Sequence, residues 1–238
     1  MSDLLELAMH AHGGFERWRE INSLDVRVSL TGQMYAIKGQ PQGMADVLIH
    51  VDAREPSVAV SPFGGSGHVG YFRPERTWIT DGAGKFIDER MDPRATFDGH
   101  VLTSQWEPLQ LLYFNAYAMW NYLSTPFLFT RPGFELREIE PHQESGDIWR
   151  RLHVTFPADI PTHCAEQVFF FNDKGLLQRV DYVTDVAGGV AAHYCYDHSW
   201  FGGILFPTLR RVVRRTPEGP KPQLSTAILI QITDILVN

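Results

Sequence analysis

From Leu24 onward apolar and polar positions alternate: Leu24, Val26, Val28 and Leu30 are separated by Asp25, Arg27 and Ser29. A period of two is that of a strand with one buried face. Ahead of it, Leu4, Leu7, Ala8, Ala11, Phe15, Trp18 and Ile21 recur at helical spacing, which predicts an opening helix capped by Asp3 and Glu6. Gly13-Gly14 interrupts that stripe and predicts a break into two short helices. Further strands are predicted at 45–51, 57–60, 69–72, 76–80 and 85–90, separated by the turn sequences Gly64-Gly65-Ser66-Gly67 and Asp81-Gly82-Ala83-Gly84.

The pattern then changes. Pro108 to Thr130 carries no charge, and a helix is predicted from Pro108 to about Leu123, capped through Ser104 and Glu107 and ended before Pro126. Leu109, Leu112, Tyr113, Ala116, Tyr117, Trp120 and Leu123 make one wide face, and Leu111, Phe114, Ala118, Met119 and Tyr122 cover most of the rest. A helix apolar nearly all round must be enclosed. The segment is long enough to suggest a membrane span. Its Gln110, Asn115, Asn121, Ser124 and Pro126, and the strands on either side, favour a helix buried in protein.

Strands resume at 134–139, 149–156, 166–171, 176–183, 190–198, 208–215 and 226–237. Asn172-Asp173-Lys174-Gly175 supplies a hairpin turn, and Thr216 to Pro222 is short enough for a hairpin loop. No linker divides the chain, so residues 1–238 are expected to form one domain. The expected class is mainly β (α+β): an antiparallel sheet around an apolar helix, with a helix at the N-terminus.

Three features together resemble the LolA/LolB-like lipoprotein-carrier superfamily. They are the opening helix with His12-Gly13-Gly14 and Trp18 leading into the Ser23-Leu24 strand, the meander interrupted by helices, and the hairpin from Phe169 to Tyr182. The resemblance implies an unclosed antiparallel β-barrel whose concave side is covered by helices. It also implies an apolar cavity between sheet and helix that binds acyl chains or other apolar ligands. The start of this sequence shows no signal peptide and no lipobox cysteine, which departs from the periplasmic pattern.

Composition narrows the partners. With 21 Lys and Arg against 28 Asp and Glu the formal charge is −7, which argues against a nucleic-acid partner. The local run Arg210, Arg211, Arg214 and Arg215 reads as a solvated strand face. The two cysteines, Cys164 and Cys195, suggest neither a disulfide framework nor a zinc site. The N-terminal residues are acidic and lack the basic and apolar regions of a leader, so the cytoplasm is the expected compartment. There is no phosphate loop, dinucleotide fingerprint, His-Glu-x-x-His or Gly-x-Ser-x-Gly, and neither cofactor nor metal is expected.

Chemistry-bearing residues concentrate in a few places. In His193-Tyr194-Cys195-Tyr196-Asp197-His198, strand alternation puts His193, Cys195 and Asp197 on one face, where a carboxylate could orient His193 as a general base. The ordinary reading is a hydrogen-bonded strand face. Arg179 and Asp181 share another face, as a buried pair holding a polar head group or as a surface pair. His163-Cys164 and Asp98-Gly99-His100 lie in loops suited to a cavity mouth. Trp78, Tyr113, Tyr117, Trp120 and Tyr182 are candidate ligand-binding rings, the alternative being plain core. The leading expectation is a hydrophobic or aromatic small molecule bound between sheet and helix. The alternative is a cofactor-independent isomerase, cyclase or hydrolase using His193, Asp197, Arg179 and Asp181 in the same cavity.

Overall fold

The computed structural model describes residues 2–216, 219–220 and 226–238. Two short helices open it, α1 (Asp3–Ala11) and α2 (Phe15–Glu20), separated at the glycine pair. The cap of α1 is Ser2, whose Oγ accepts from the Leu5 N–H at 3.2 Å, so the expected Asp3 cap is displaced by one residue. The strand β1 (Ser23–Thr31) follows, then a short helix α3 (Gln33–Ile37) that periodicity does not reveal. Next come β2 (Met44–Asp52), β3 (Val58–Ser61), β4 (Val69–Arg73), β5 (Arg76–Thr80) and β6 (Phe86–Met91). After the long helix α4 (Pro108–Ser124) the strands β7 (Glu135–Glu144), β8 (Asp147–Thr155), β9 (Glu166–Phe171) and β10 (Leu177–Val183) run on. The chain finishes with β11 (Val190–Phe201), β12 (Ile204–Thr216), the two-residue β13 (Gly219–Pro220) and β14 (Ile228–Val237). Part of the expected Thr216–Pro222 loop lies outside the described residues.

All strand pairings are antiparallel, and one sheet runs in the order β6-β5-β4-β3-β2-β1-β14-β12-β11-β10-β9-β8-β7, with β13 beside β12. The C-terminal strand therefore joins two wings, one built before α4 and one after it. Its ends, β6 and β7, do not pair with each other, which leaves the barrel open. The turns follow local chemistry. Asn172 Oδ1 accepts from the N–H groups of Lys174 and Leu176, and Gly175 takes φ 80°. Gly202 and Gly203, both at positive φ, carry β11 into β12 further along than expected.

Helix α4 stands against the inner face, touching β3, β4 and β5. Fifteen of its seventeen residues are buried, as an all-round apolar helix requires. It is capped at Glu107 rather than Ser104: Gln110 Oε1 accepts from the Glu107 N–H at 3.0 Å. Among the described residues no helix is long and apolar enough to cross a membrane.

The glycine pair earns its place sterically. A Cβ at Gly13 would stand 2.3 Å from the Gly203 carbonyl oxygen, at φ 115°, whereas one at Gly14, φ 88°, would meet nothing within 4 Å. Gly14→Ala should cost about 1–3 kcal/mol from its backbone alone, because positive φ is combined there with an extended ψ of 146°. Gly13→Ala should cost clearly more, because α1 must move off the β11–β12 turn. Thermal melts of the two variants check the order.

Candidate functional site

The polar interior begins on α4. Tyr117 and Tyr122 lie less than two turns apart, and both reach His163, which the loop between β8 and β9 delivers. Tyr117 Oη lies 2.9 Å from His163 Nδ1, and Tyr122 Oη lies 2.6 Å from His163 Nε2. Burial holds His163 at a pKa of about 3, with Arg94 adding to the effect, so its ring is neutral. A neutral imidazole has one N–H: one phenol therefore donates to His163 and the other accepts from it. The chain continues from Tyr122 Oη to Tyr182 Oη at 3.3 Å and on to His193 Nδ1 at 3.4 Å. His163 stacks on Tyr182 with ring centroids 4.3 Å apart. Burial raises the phenols of Tyr117, Tyr122 and Tyr182 above their usual range and lowers His193 well below its own. All these rings are therefore uncharged at neutral pH.

Two cations enter this interior. Arg210, on β12, is 1% exposed. One of its terminal nitrogens donates to Cys195 Sγ at 3.3 Å and the other to the Tyr122 carbonyl at 3.1 Å, while the guanidinium carbon lies 5.1 Å from the Tyr122 ring centroid. Its Nε has no partner, and no carboxylate lies within ion-pair distance of it among the described residues. Lys38, fully buried at the end of α3, donates to the carbonyls of Val101 at 3.0 Å and Ala187 at 2.8 Å and lies over the Trp106 ring. Desolvation lowers it to about 8. It ties the approach to α4 to the β10–β11 turn.

The residues singled out from sequence divide sharply. Tyr113, Tyr117, Trp120 and Tyr182 all lie between sheet and helix. Trp78 does not. It pairs with Tyr71 across β4 and β5 and stacks on it at 5.1 Å, while the neighbours of Tyr71 along β4, Gly70 and Phe72, are the ones that meet α4. Alternation therefore puts Trp78 on the convex face, under Arg76. His193 is inside, but Asp197 is exposed at φ 53°, where the ladder to β12 records no pair between Tyr196 and His198. The left-handed residue interrupts the regular strand, and His193 Nε2 has no partner among the described residues. The candidate His193–Asp197 pair does not form.

Arg179 and Asp181 do pair, through Nε to Oδ1 at 2.7 Å and a terminal nitrogen to Oδ2 at 2.6 Å. They occupy the convex face, since Val180 and Tyr182 take the inner one. There Arg179 also meets Glu144, which accepts from Tyr194 Oη at 2.6 Å. The end of the β7–β8 hairpin reaches this network, beside a small second core of Trp149, Phe170, Ala192, Tyr194 and Val213. The pair is buried, yet away from α4. Of the two loop candidates, His163 is interior rather than at a mouth, Cys164 is half-buried, and Asp98 is exposed with His100 half-buried beside Phe97.

Arg210, expected on a solvated strand face, is buried instead. Ile204, Phe206 and Val212 all belong to the main core, and the same alternation carries Arg210 inward. That signal was legible, but the surrounding arginines masked it. Lys38 gave no signal, because α3 itself was not legible.

The wings leave a groove between them. A cleft of about 340 Å³ is lined by Arg94, Tyr113, Phe156, Asp159, Ile160 and Asp185 among others. A second, of about 230 Å³, shares Pro74, Asp159 and Ile160 with it. Arg94 spans the groove, donating to the Thr162 carbonyl at 2.8 Å and to Asp185 Oδ2 at 3.1 Å. Tyr113 links this opening to the interior, since its ring lies 5.2 Å from that of Tyr117.

No family model matches the chain, and no curated protein sequence matches it. Solved structures do. A putative outer membrane lipoprotein-sorting protein domain from Vibrio parahaemolyticus superposes with a TM-score of 0.57 at 10% identity, over 98% of this chain and 92% of that one. A DUF1329 family protein from Desulfovibrio piger gives 0.55 at 12% identity, over 99% and 92%. The LolA superfamily protein NE2245 from Nitrosomonas europaea gives 0.51 at 10%, over 97% and 93%. At such identities the likeness is one of fold: this chain has the open, helix-filled sheet of LolA-like structures.

Proposed function

We propose that this protein binds a hydrophobic or aromatic small molecule between its curved sheet and α4, admitted through the groove between the two wings. The observation that carries the reading is the position of Tyr113: it lines the groove and touches Tyr117, the first member of the interior ring chain. Aromatic walls with a few fixed polar groups are the usual chemistry of small-molecule sites. An open sheet edge lets a helix shift without breaking a closed ladder. The similarity to a structure described as an outer membrane lipoprotein-sorting protein domain supports the same reading. The ligand takes space that α4 and its rings fill here, so binding entails a displacement of side chains or of the helix.

The test is native mass spectrometry of detergent-free protein together with titration of a fluorescent fatty acid and an aromatic probe. Saturable binding is expected, with a rise in thermal stability equivalent to about 2.7 kcal/mol at a hundredfold excess over Kd. The absence of both a co-purified species and a saturable signal would overturn the proposal. Catalysis in the same space is the weaker reading, because it relied on His193, Asp197, Arg179 and Asp181, and of these only His193 faces α4.

A further inference from the structure

We infer that Arg210 receives the carboxylate of an amphipathic monoanion whose apolar part lies between the sheet and α4. This rests on the binding function proposed above and names the class of ligand. A guanidinium offers five N–H donors. In Arg210 one goes to a thiol and one to a backbone carbonyl, while Nε is bare. Among the described residues the groups that face it are weak or neutral partners: Cys195 and His193 on β11, Tyr122 on α4, and His12 and His198 further out. Burial keeps the Cys195 thiol protonated and these imidazoles neutral, so none of them balances the charge.

A buried cation without an anion is unfavourable unless a further partner supplies one. The location is specific, because Cys195 lies in the main core and Tyr122 belongs to the last turns of α4, so Arg210 sits at the sheet–helix interface. His193, packed against the same Tyr122 ring with centroids 4.6 Å apart, holds a second bare nitrogen, Nε2. In the tautomer that accepts from Tyr182, this nitrogen carries the proton and can donate to the same carboxylate. One guanidinium balances one negative charge. A phosphate monoester, close to doubly charged at neutral pH, would leave a buried excess, which is why a carboxylate is the assigned head group.

The experiment compares dodecanoate with dodecan-1-ol and methyl dodecanoate on the full chain at neutral pH, by displacement of a neutral fluorescent probe. The charge-assisted contact should make the carboxylate bind about ten- to a hundredfold more tightly than either neutral analogue. In Arg210→Met that preference should disappear while the alcohol still binds. Should Arg210→Met fail to fold, Arg210→Gln takes its place with the same expected loss of preference. Equal affinities for acid and alcohol would overturn the inference and leave hydrophobic binding standing. A carboxylate preference retained by a folded Arg210→Met protein would also overturn it, by placing the anion elsewhere. Failure of all three compounds and the probe to bind would instead remove the binding function itself, and this inference with it.

Discussion

Acidification from neutrality to about pH 4.5 is expected to cost this protein roughly 5 kcal/mol of stability or more, well before its carboxylates are fully protonated. The cause is the set of imidazoles sealed inside it. Burial lowers His12 from 6.5 to about 4, outweighing the hydrogen bond it makes to the Ala8 carbonyl, and lowers His163 to about 3. Below pH 6.5 the unfolded chain takes up protons at these positions and the folded chain does not. Unfolding is therefore favoured as pH falls, until the folded-state values are reached. Each such group contributes about 1.36 kcal/mol per pH unit, so the two together remove roughly 5 kcal/mol between about pH 6.5 and about pH 4.5. His193 and His198 shift in the same direction. Against a typical total of about 5–15 kcal/mol, that loss is decisive. Urea unfolding at a series of pH values measures it directly. A stability that stays flat from pH 7 to about pH 5 would show that these rings are not neutral and sealed in the folded state.

The second large effect belongs to Trp120. This ring is fully buried on α4, its Nε1 donates to the Asp52 carbonyl at 2.9 Å, and Arg131 lies beyond its face. Trp120→Ala opens a cavity at the centre of the sheet–helix interface and strips the Asp52 carbonyl of its donor. A loss of about 3–5 kcal/mol is expected from the cavity, with about 1 kcal/mol or more from the stranded acceptor. Trp120→Phe keeps most of the ring and should lose clearly less. Denaturant midpoints of both variants test this. A Trp120→Ala protein as stable as its parent would mean that α4 is not held inside the sheet as described.

Much of the architecture could be read from the chain alone, since it depends on local periodicity. The two-residue alternation from Leu24 gave β1, the Asn172–Gly175 turn gave the β9–β10 hairpin, and the charge-free stretch after Pro108 gave a helix that had to be enclosed. Such signals survive in sequence because each reflects one element's contact with water or core. The short helix α3 was missed: five residues are too few to show a period. Caps slipped by a few residues, because neighbouring Ser, Asp and Glu side chains compete for the same backbone donors.

The site was legible only in part. That Tyr113, Tyr117 and Trp120 face the interior followed from the enclosure of α4, whereas alternation along β10 left the face of Tyr182 open. Which face of each strand points at the helix did not follow, and on that point the candidates separated. A mid-strand residue at positive φ removed Asp197 from the side of His193, and the convex packing near the end of the β7–β8 hairpin buried Arg179 and Asp181 on the far face.

The amino-acid pattern by itself determined that a helix too apolar for solvent had to be wrapped by an antiparallel sheet, because burial preference is a property of each segment taken alone. Only the tertiary structure decided that His163, Tyr122, Tyr182, His193 and Arg210 meet. They come from the β8–β9 loop, α4, β10, β11 and β12, and their proximity is set by how the sheet coils around the helix, which no local spacing records.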